Sequence, residues 1–572
     1  MNPSRLVACL GRVRLAAPLI AVVALSACGG GGDGGGNPPS PTSVTVSGRI
    51  TFDRIPFKST GLGLNPGAPI ESPARLVIVE ALDASSNTIL ATTATDANGD
   101  YSLQVPSNRS VKIRAKAQMM QSGAAPTWNF RVLNNTNSNA LYALDGSAFN
   151  TGTANSTRNL RAASGWGTTS YTGSRAAAPF AILDTVYSAR SLVLSAAANT
   201  AFPALDLFWS DANKPTVGKF CTTTGDIGTT FFTSGGSDAD NCTADGALQT
   251  GIYILGDFSQ GDTDEFDQHV IAHEFGHYIE NAFSRSDSPG GEHGTVDRVD
   301  LRLAFSEGWS NAYSGMVLND PVYRDSDGGV SGEGGFDMES DDLAVKGWFS
   351  ESSVHQVLWD IFDNVADASD QVSLGFTPMY SVLTGPQKTT DALTSVFSFA
   401  DALRTANPAE QAGIDALLGS QSISGTGAFG DREMNAGGSD TALPIYQGIE
   451  PNQTPLPLVC GSGADDSRNK LGYRRFLTLN LTAPATLTIT VTGAVDGADP
   501  SSVAASDPDI FVRRRGAMVQ RGEATTEIPG SSETIDHKLY DAGLYIIEVF
   551  DFAFTATNAN VPHCMTVSVT GG

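Results

Sequence analysis

From Val270 to Ile279 the chain reads Val-Ile-Ala-His-Glu-Phe-Gly-His-Tyr-Ile, a stretch in which Glu274 is the one formal charge. On a helical period of about 3.6 residues, His273 and His277 fall ~40° apart, one turn above the other, and Glu274 lies ~100° from His273. Two imidazoles on one stripe can meet a single metal ion while the carboxylate stands beside it. The apolar remainder requires that the other faces of this helix be buried. A fold for this chain must therefore wrap a helix in a core and still leave one histidine stripe accessible. Gly251 to Gly256 reads as the strand before it. Asp264, Glu265 and Asp267 fall in the first turn of a helix expected from about Asp264 to Phe283, where carboxylates favour the positive end of the dipole.

The chain holds seven histidines, at 269, 273, 277, 293, 355, 537 and 563, and four of them lie within 25 residues. His269, one turn before His273, reads as a supporting or core histidine. Two imidazoles need a third protein ligand to make a metal site with an open position. Glu307 stands 30 residues after His277, in Leu303-Ala304-Phe305-Ser306-Glu307-Gly308-Trp309-Ser310-Asn311. That run reads as a second helix, from about Asp300 to Leu318. The segment from Ser284 to Asp297 is long enough to turn the chain back between the two helices. His293 is the rival ligand, with Asp287 and Asp297 behind it.

His273-Glu274-x-x-His277 followed by Glu307 resembles the gluzincin zinc peptidases. The Glu-Gly-Trp-Ser run at Glu307 to Ser310 is most similar to the fungalysin branch, which shares the thermolysin-like site. The metzincin pattern fails, because Glu280 and Phe283 stand where it requires Gly and His. The resemblance implies Zn²⁺ bound by His273, His277 and Glu307, with Glu274 as general base and then general acid. It implies an oxyanion-stabilising histidine downstream, a role that falls on His355 in Ser353-Val354-His355-Gln356; Tyr278 and Tyr313 are weaker candidates. The family carries an aspartate four residues after the ligand glutamate, to orient a zinc histidine. Here that position is Asn311, which can accept the imidazole N–H without adding charge.

Around this segment the sequence changes character. Residues 1–27 have a basic front (Arg5, Arg12, Arg14) and an apolar stretch from Leu15 to Leu25, too short to span a bilayer comfortably, which reads as a signal peptide. Leu25-Ser26-Ala27-Cys28 resembles a bacterial lipoprotein signal, which implies acylation of Cys28, membrane attachment and a flexible tether over 28–42. Residues 43–160 alternate with period two and resemble a carboxypeptidase regulatory-like β-sandwich. Residues 176–447 mix helical patterns with Gly/Asp-rich loops, as an α+β zincin-like domain would. Residues 455–572 return to alternation and resemble the β-sandwich or jelly-roll domain appended to secreted bacterial peptidases. The fold expected is therefore multidomain, with β modules on both sides of a central α+β domain.

In an exported chain, Cys221, Cys242, Cys460 and Cys564 suggest two disulfides. Three connectivities are possible, of which Cys221–Cys242 and Cys460–Cys564 are favoured because each closes a loop within one segment. Between Asp320 and Asp342 lie Asp325, Asp327, Glu333, Asp337, Glu339 and Asp341 among glycines, a composition open to Ca²⁺ or to plain solvation. A net charge of −26, from 61 acidic and 35 basic side chains, repels phosphate backbones, so no nucleic-acid partner is expected. The expected function is an exported, lipid-anchored zinc endopeptidase acting on protein or peptide substrates. The alternative is a catalytically silent zincin-like surface-binding lipoprotein, and hydrolysis of a non-peptide amide is a weaker third.

Overall fold

The alternating run Ser43–Arg54 forms β1 in the computed structural model of the protein. The structure describes residues 42–571 apart from 217–219, 237–241, 243–246, 327–333, 341, 365–370, 464–467, 495–505, 524–530, 553 and 555–562. The signal peptide, Cys28 and the tether up to residue 41 lie outside the described residues. Among the described residues, no helix is long and apolar enough to cross a membrane. The contacts separate Met1–Thr42 from Ser43–Gly572, and the elements below all belong to the second unit.

Strand β1 and its neighbour over Asp100–Pro106 belong to a five-stranded sheet. A second, ten-stranded sheet packs with it around one apolar core. Its main strands are β2 (Val77–Asp83), β3 (Ile89–Ala94), β4 (Ser110–Gln121), β5 (Trp128–Asn134), β6 (Leu205–Trp209), β7 (Phe231–Thr233) and β8 (Gly251–Ile254). They run in the order β7-β8-β6-β5-β4-β2-β3. β5, β6 and β8 are mutually parallel, with Leu207 opposite Val132 and Ile252, whereas β7 closes the edge antiparallel to β8. Parallel neighbours need a crossover, and helix α1 (Ala178–Ala196) supplies it between β5 and β6.

The segments expected as separate domains at 43–160 and 176–447 are thus joined, since β5 of the first pairs in register with β6 of the second and both contribute to one core. All seven residues of β2 are buried. A continuous apolar run of that kind belongs to a strand covered on both faces, and a sandwich with one wet face would show alternation instead.

Helices α2 (Gln268–Phe283), α3 (Leu301–Leu318) and α4 (Glu351–Phe362) follow. α2 begins later than the sequence suggests, because Asp267 is its N-cap. Small residues bring the three together. A Cβ on Gly276 would come within 3.0 Å of Ser310, and one on Gly308 within 2.5 Å of Val354. A short antiparallel pair, β9 (Val322–Asp325) and β10 (Gly334–Asp337), sets Tyr323 opposite Phe336.

The C-terminal segment has its own core between a five-stranded and a four-stranded sheet. Cys460 faces Cys564 across antiparallel strands, and the Cys460–Cys564 and Cys221–Cys242 disulfides are both formed. The protein is therefore sheet-rich and multidomain.

Candidate metal centre

Helices α2 and α3 run antiparallel, and their polar stripes meet rung by rung. His269 Nδ1 lies 3.2 Å from Ser314 Oγ, His273 Nδ1 lies 2.8 Å from Asn311 Oδ1, and His277 Nε2 lies 3.2 Å from Glu307 Oε2. Glu307, Asn311 and Ser314 recur at spacings of four and three, so they share one face of a helix that is otherwise buried all round. The result is a convergence of three potential ligand atoms. His273 Nε2 and His277 Nε2 are 3.1 Å apart, and each stands close to Glu307 Oε2, at 3.3 and 3.2 Å.

Tetrahedral ligands about 2.0–2.1 Å from one ion are separated by ~3.3 Å, so these nitrogens and this oxygen have the spacing a zinc site requires. His273, Glu274 and His277 also form a cluster whose ligand atoms lie within 4.8 Å of one another. Burial opposes ionisation of Glu307, yet His277, His273 and His293 outweigh it and hold the carboxyl well below its usual range. Burial also opposes a charge on His277, but Glu307 raises its pKa to about 9.

Glu274 is 7% exposed, and its Oε2 accepts the Phe232 N–H from edge strand β7 at 2.7 Å. Burial raises its pKa. Behind His277, Ser306 Oγ lies 3.3 Å from Nδ1 and donates to Glu280 Oε2 at 2.6 Å, and burial lifts Glu280 to about 7. Glu280 follows His273 by seven residues, two turns along the same stripe, a spacing from which its support of the site was readable.

The remaining predicted residues separate cleanly. His293 reaches the site, with Nε2 at 3.4 Å from Glu307 Oε1 and Nδ1 at 2.8 Å from Glu351 Oε2. Asp287 is engaged by Arg285 and by the Thr394 N–H, and Asp297 by Lys470. Tyr278 and Tyr313 are buried, and their hydroxyls donate to the Pro203 and Ala189 carbonyls. His269 is a core histidine between Phe57 and Tyr323, pushed down to about 3 by burial.

His355 is 1% exposed, with its ring stacked on Phe336 and its Nδ1 3.5 Å from Asn311 Nδ2. Asn311 therefore sits between His273 and His355. In the acidic stretch, Asp327, Glu333 and Asp341 lie outside the described residues, Asp320 pairs with Arg324, and Glu339 accepts from Trp359 Nε1. The contributions of Phe232, Ser306 and Glu351 were not foreseen from sequence.

No family model matches the chain, and no curated protein matches it. Among solved structures, it is similar to the pre-peptidase C-terminal domain of collagenase from Bacillus anthracis, at 12% identity and a TM-score of 0.15. That match covers 22% of this chain and 93% of the other. It is also similar to CBM35 from Cellvibrio japonicus Abf62, at 18% identity and a TM-score of 0.14, over 22% of this chain and 85% of that one.

Proposed function

We propose that the chain is a zinc-dependent endopeptidase whose central zincin-like domain hydrolyses peptide bonds with water as nucleophile. One observation carries this reading: His273 Nε2, His277 Nε2 and Glu307 Oε2 converge at mutual distances of 3.1 to 3.3 Å with Glu274 alongside. His273, His277 and Glu307 would hold the ion. Zinc bound there supplies Lewis acidity and a water of lowered pKa. Glu274 is the base. Phe232 N–H occupies its Oε2, which leaves Oε1 to take the proton of the attacking water and return it to the leaving amine.

Asn311 accepts the His273 Nδ1–H and so presents Nε2 toward the ion. The donor to the developing oxyanion is His293 in preference to His355, because its side chain is 28% exposed beside Glu307 and is steered by Glu351. Edge strand β7, anchored on Glu274, offers an open rim to which an extended peptide can add as a further strand. The reading extends to an exported lipoprotein anchored through Cys28, and the two disulfides support an oxidising compartment.

Glu274→Gln is the test. The purified variant should keep the parent's zinc content and lose at least ~100-fold in cleavage of a mixed peptide library. Full activity in the variant refutes the mechanism. A zinc-loaded parent that cleaves no peptide favours the silent surface-binding alternative.

A further inference from the structure

The seam between α3 and the C-terminal sandwich holds a charged cavity that the peptidase reading does not use. Its volume is about 250 Å³, and Arg302, Arg474, Arg513, Glu548 and Ser288 are among the groups that line it. Arg302 comes from α3. Arg513 and Glu548 come from the sandwich strands Pro508–Arg514 and Gly543–Asp551, which pair with Phe511 opposite Glu548. Ser286 to Pro289, in the loop that runs on to His293, close one wall.

A carboxylate offers about four lone-pair sites, and Glu548 fills them from arginines alone. Its Oε1 accepts from Arg302 Nη2 at 3.1 Å and from Arg474 Nη1 at 2.7 Å. Its Oε2 accepts from Arg302 Nη1 at 3.2 Å and from Arg513 Nε at 2.8 Å. Arg302 spends its remaining donors on Asp300. Arg474 Nε reaches the Arg468 carbonyl, and Arg513 Nη1 the Gly516 carbonyl. Arg474 Nη2 and Arg513 Nη2 therefore have no acceptor among the described residues.

The charges do not cancel either. Three guanidiniums face Glu548 and Asp300, while Asp287 is matched by Arg285, so one positive charge is left over. Water can satisfy the two spare N–H arms but not that charge. Both arms belong to held side chains, 15% and 17% exposed, and the Arg474 guanidinium lies over the Phe550 ring at 4.3 Å. A planar fork fixed in this way loses little freedom when it meets an oxyanion.

We propose that this cavity binds a small tetrahedral oxyanion, sulfate or phosphate by its chemistry, between Arg474, Arg513 and the Ser288 hydroxyl. Donors from separate chain segments suit a tetrahedral anion better than a planar carboxylate, and charge-assisted bonds from arginine are the strong kind. The anion would clamp the sandwich to α3 and to the loop before His293. Asn469 already holds that loop, donating to the Gly290 and Glu292 carbonyls at 3.0 Å.

The test titrates the full chain with Na₂SO₄ against NaCl at matched ionic strength, by calorimetry and by thermal melting. One sulfate per chain is expected. Ser288→Asp is the decisive variant. Ser288 Oγ accepts the Gly290 N–H at 3.1 Å; an aspartate keeps that acceptor and brings a carboxylate into the cavity wall. The variant should bind sulfate at least tenfold more weakly and gain about 3 °C less than the parent at saturating sulfate. In chloride it should melt no lower than the parent. General salting effects of sulfate act on both chains alike. A parent with no sulfate heat overturns the proposal, as does parent-like binding in Ser288→Asp, which would place the anion elsewhere. Should Ser288→Asp fail to fold, Arg513→Gln decides: tenfold weaker binding supports the site, and unchanged binding refutes it. Inorganic phosphate and glycerol 3-phosphate, competed against sulfate, separate a free anion from an esterified group. The better competitor names the source, and failure of both refutes the site. None of these readouts involves hydrolysis, so their failure is distinguishable from failure of the peptidase reading.

Discussion

Glu548 and Asp267 are both fully buried carboxylates, but the chain surrounds them differently. Glu548, in the C-terminal sandwich, meets Arg302, Arg474 and Arg513 at 3.1, 2.7 and 2.8 Å, and Arg302 is held in turn by Asp300 at 2.8 Å. Burial opposes its charge, yet the three guanidiniums hold its pKa far below the usual range. Asp267 and Asp264 have aspartates as their charged neighbours, and their pKa values rise. In one place the fold carries its own countercharge and uses it to dock the sandwich onto α3, the helix bearing Glu307. In the other the nearest charges to each carboxylate are further carboxylates, and the pair is held toward its protonated form. The candidate metal centre lies between these extremes: Glu307 faces imidazoles from its own chain, which an ion would bridge.

The largest expected effect breaks the first of these sites. Glu548→Gln leaves buried Arg302 without its interdomain partner and should cost about 3–5 kcal/mol in urea unfolding. Asp264→Asn/Asp267→Asn should cost nothing or stabilise, since it removes buried repulsion. The two sites also carry opposite pH signs. The folded pKa of Glu548 is depressed, so its contribution is present above the unfolded value of about 4.3 and is lost as pH falls below it. The gap between parent and Glu548→Gln should therefore close below about pH 4. The folded pKa values of Asp264 and Asp267 are raised, so the parent is favoured at low pH. Its deficit relative to the double variant should open as pH rises above about 4. Parallel pH profiles for the two comparisons would show that the sites do not differ in the way described.

A smaller effect separates the two histidines that flank the candidate metal centre. His293, bracketed by Glu307 and Glu351, is the chain's own basic group at the open side, whereas His355 lies behind Asn311. His293→Ala should lower kcat on peptides by about 100-fold with zinc content and KM little changed. His355→Ala should act through Asn311, weakening zinc binding more than turnover. If His355→Ala instead lowers kcat at constant zinc affinity, the oxyanion role returns to His355.

These distinctions show what local sequence can and cannot reveal. The second helix, expected from about Asp300 to Leu318 and found over Leu301–Leu318 with Asp300 as its cap, was legible almost to the residue because its apolar pattern is local. The convergence of His273, His277 and Glu307 was legible because helical periodicity aligns the first two and the motif spacing suggests the third. The joining of 43–160 to the central segment was not, since alternation marks a strand without naming its partner, and β5 pairs with β6 at Arg131 and Asp206. The acid cluster failed for the same reason. Acid density drew attention to Asp320 to Asp342, whereas the fold brings Asp325 to Asp262 and Asp264 across two helices. The orienting Glu351 of His293 likewise comes from a distant helix start.

The smallest expected change concerns a charge that the chain withholds at the proposed zinc centre. Asn311 Oδ1 accepts from His273 Nδ1 at 2.8 Å, and its Nδ2 stands 3.5 Å from His355 Nδ1. Asn311→Asp keeps the acceptor for His273 and adds a negative charge that makes the imidazole a better ligand. The lost amide N–H is replaceable, because His355 can switch tautomer and donate from Nδ1 to the new carboxylate. The site should therefore tolerate the change, with zinc held about tenfold more tightly in chelator competition. A carboxylate behind the ligand also draws positive charge away from the ion, so its water should be less acidic and peptide turnover at low pH should fall slightly. Unchanged zinc affinity in Asn311→Asp would mean that His273 does not bind through Nε2 with Asn311 at its back, and the resemblance between this centre and a self-compensated one like Glu548 would then be closer than its geometry suggests.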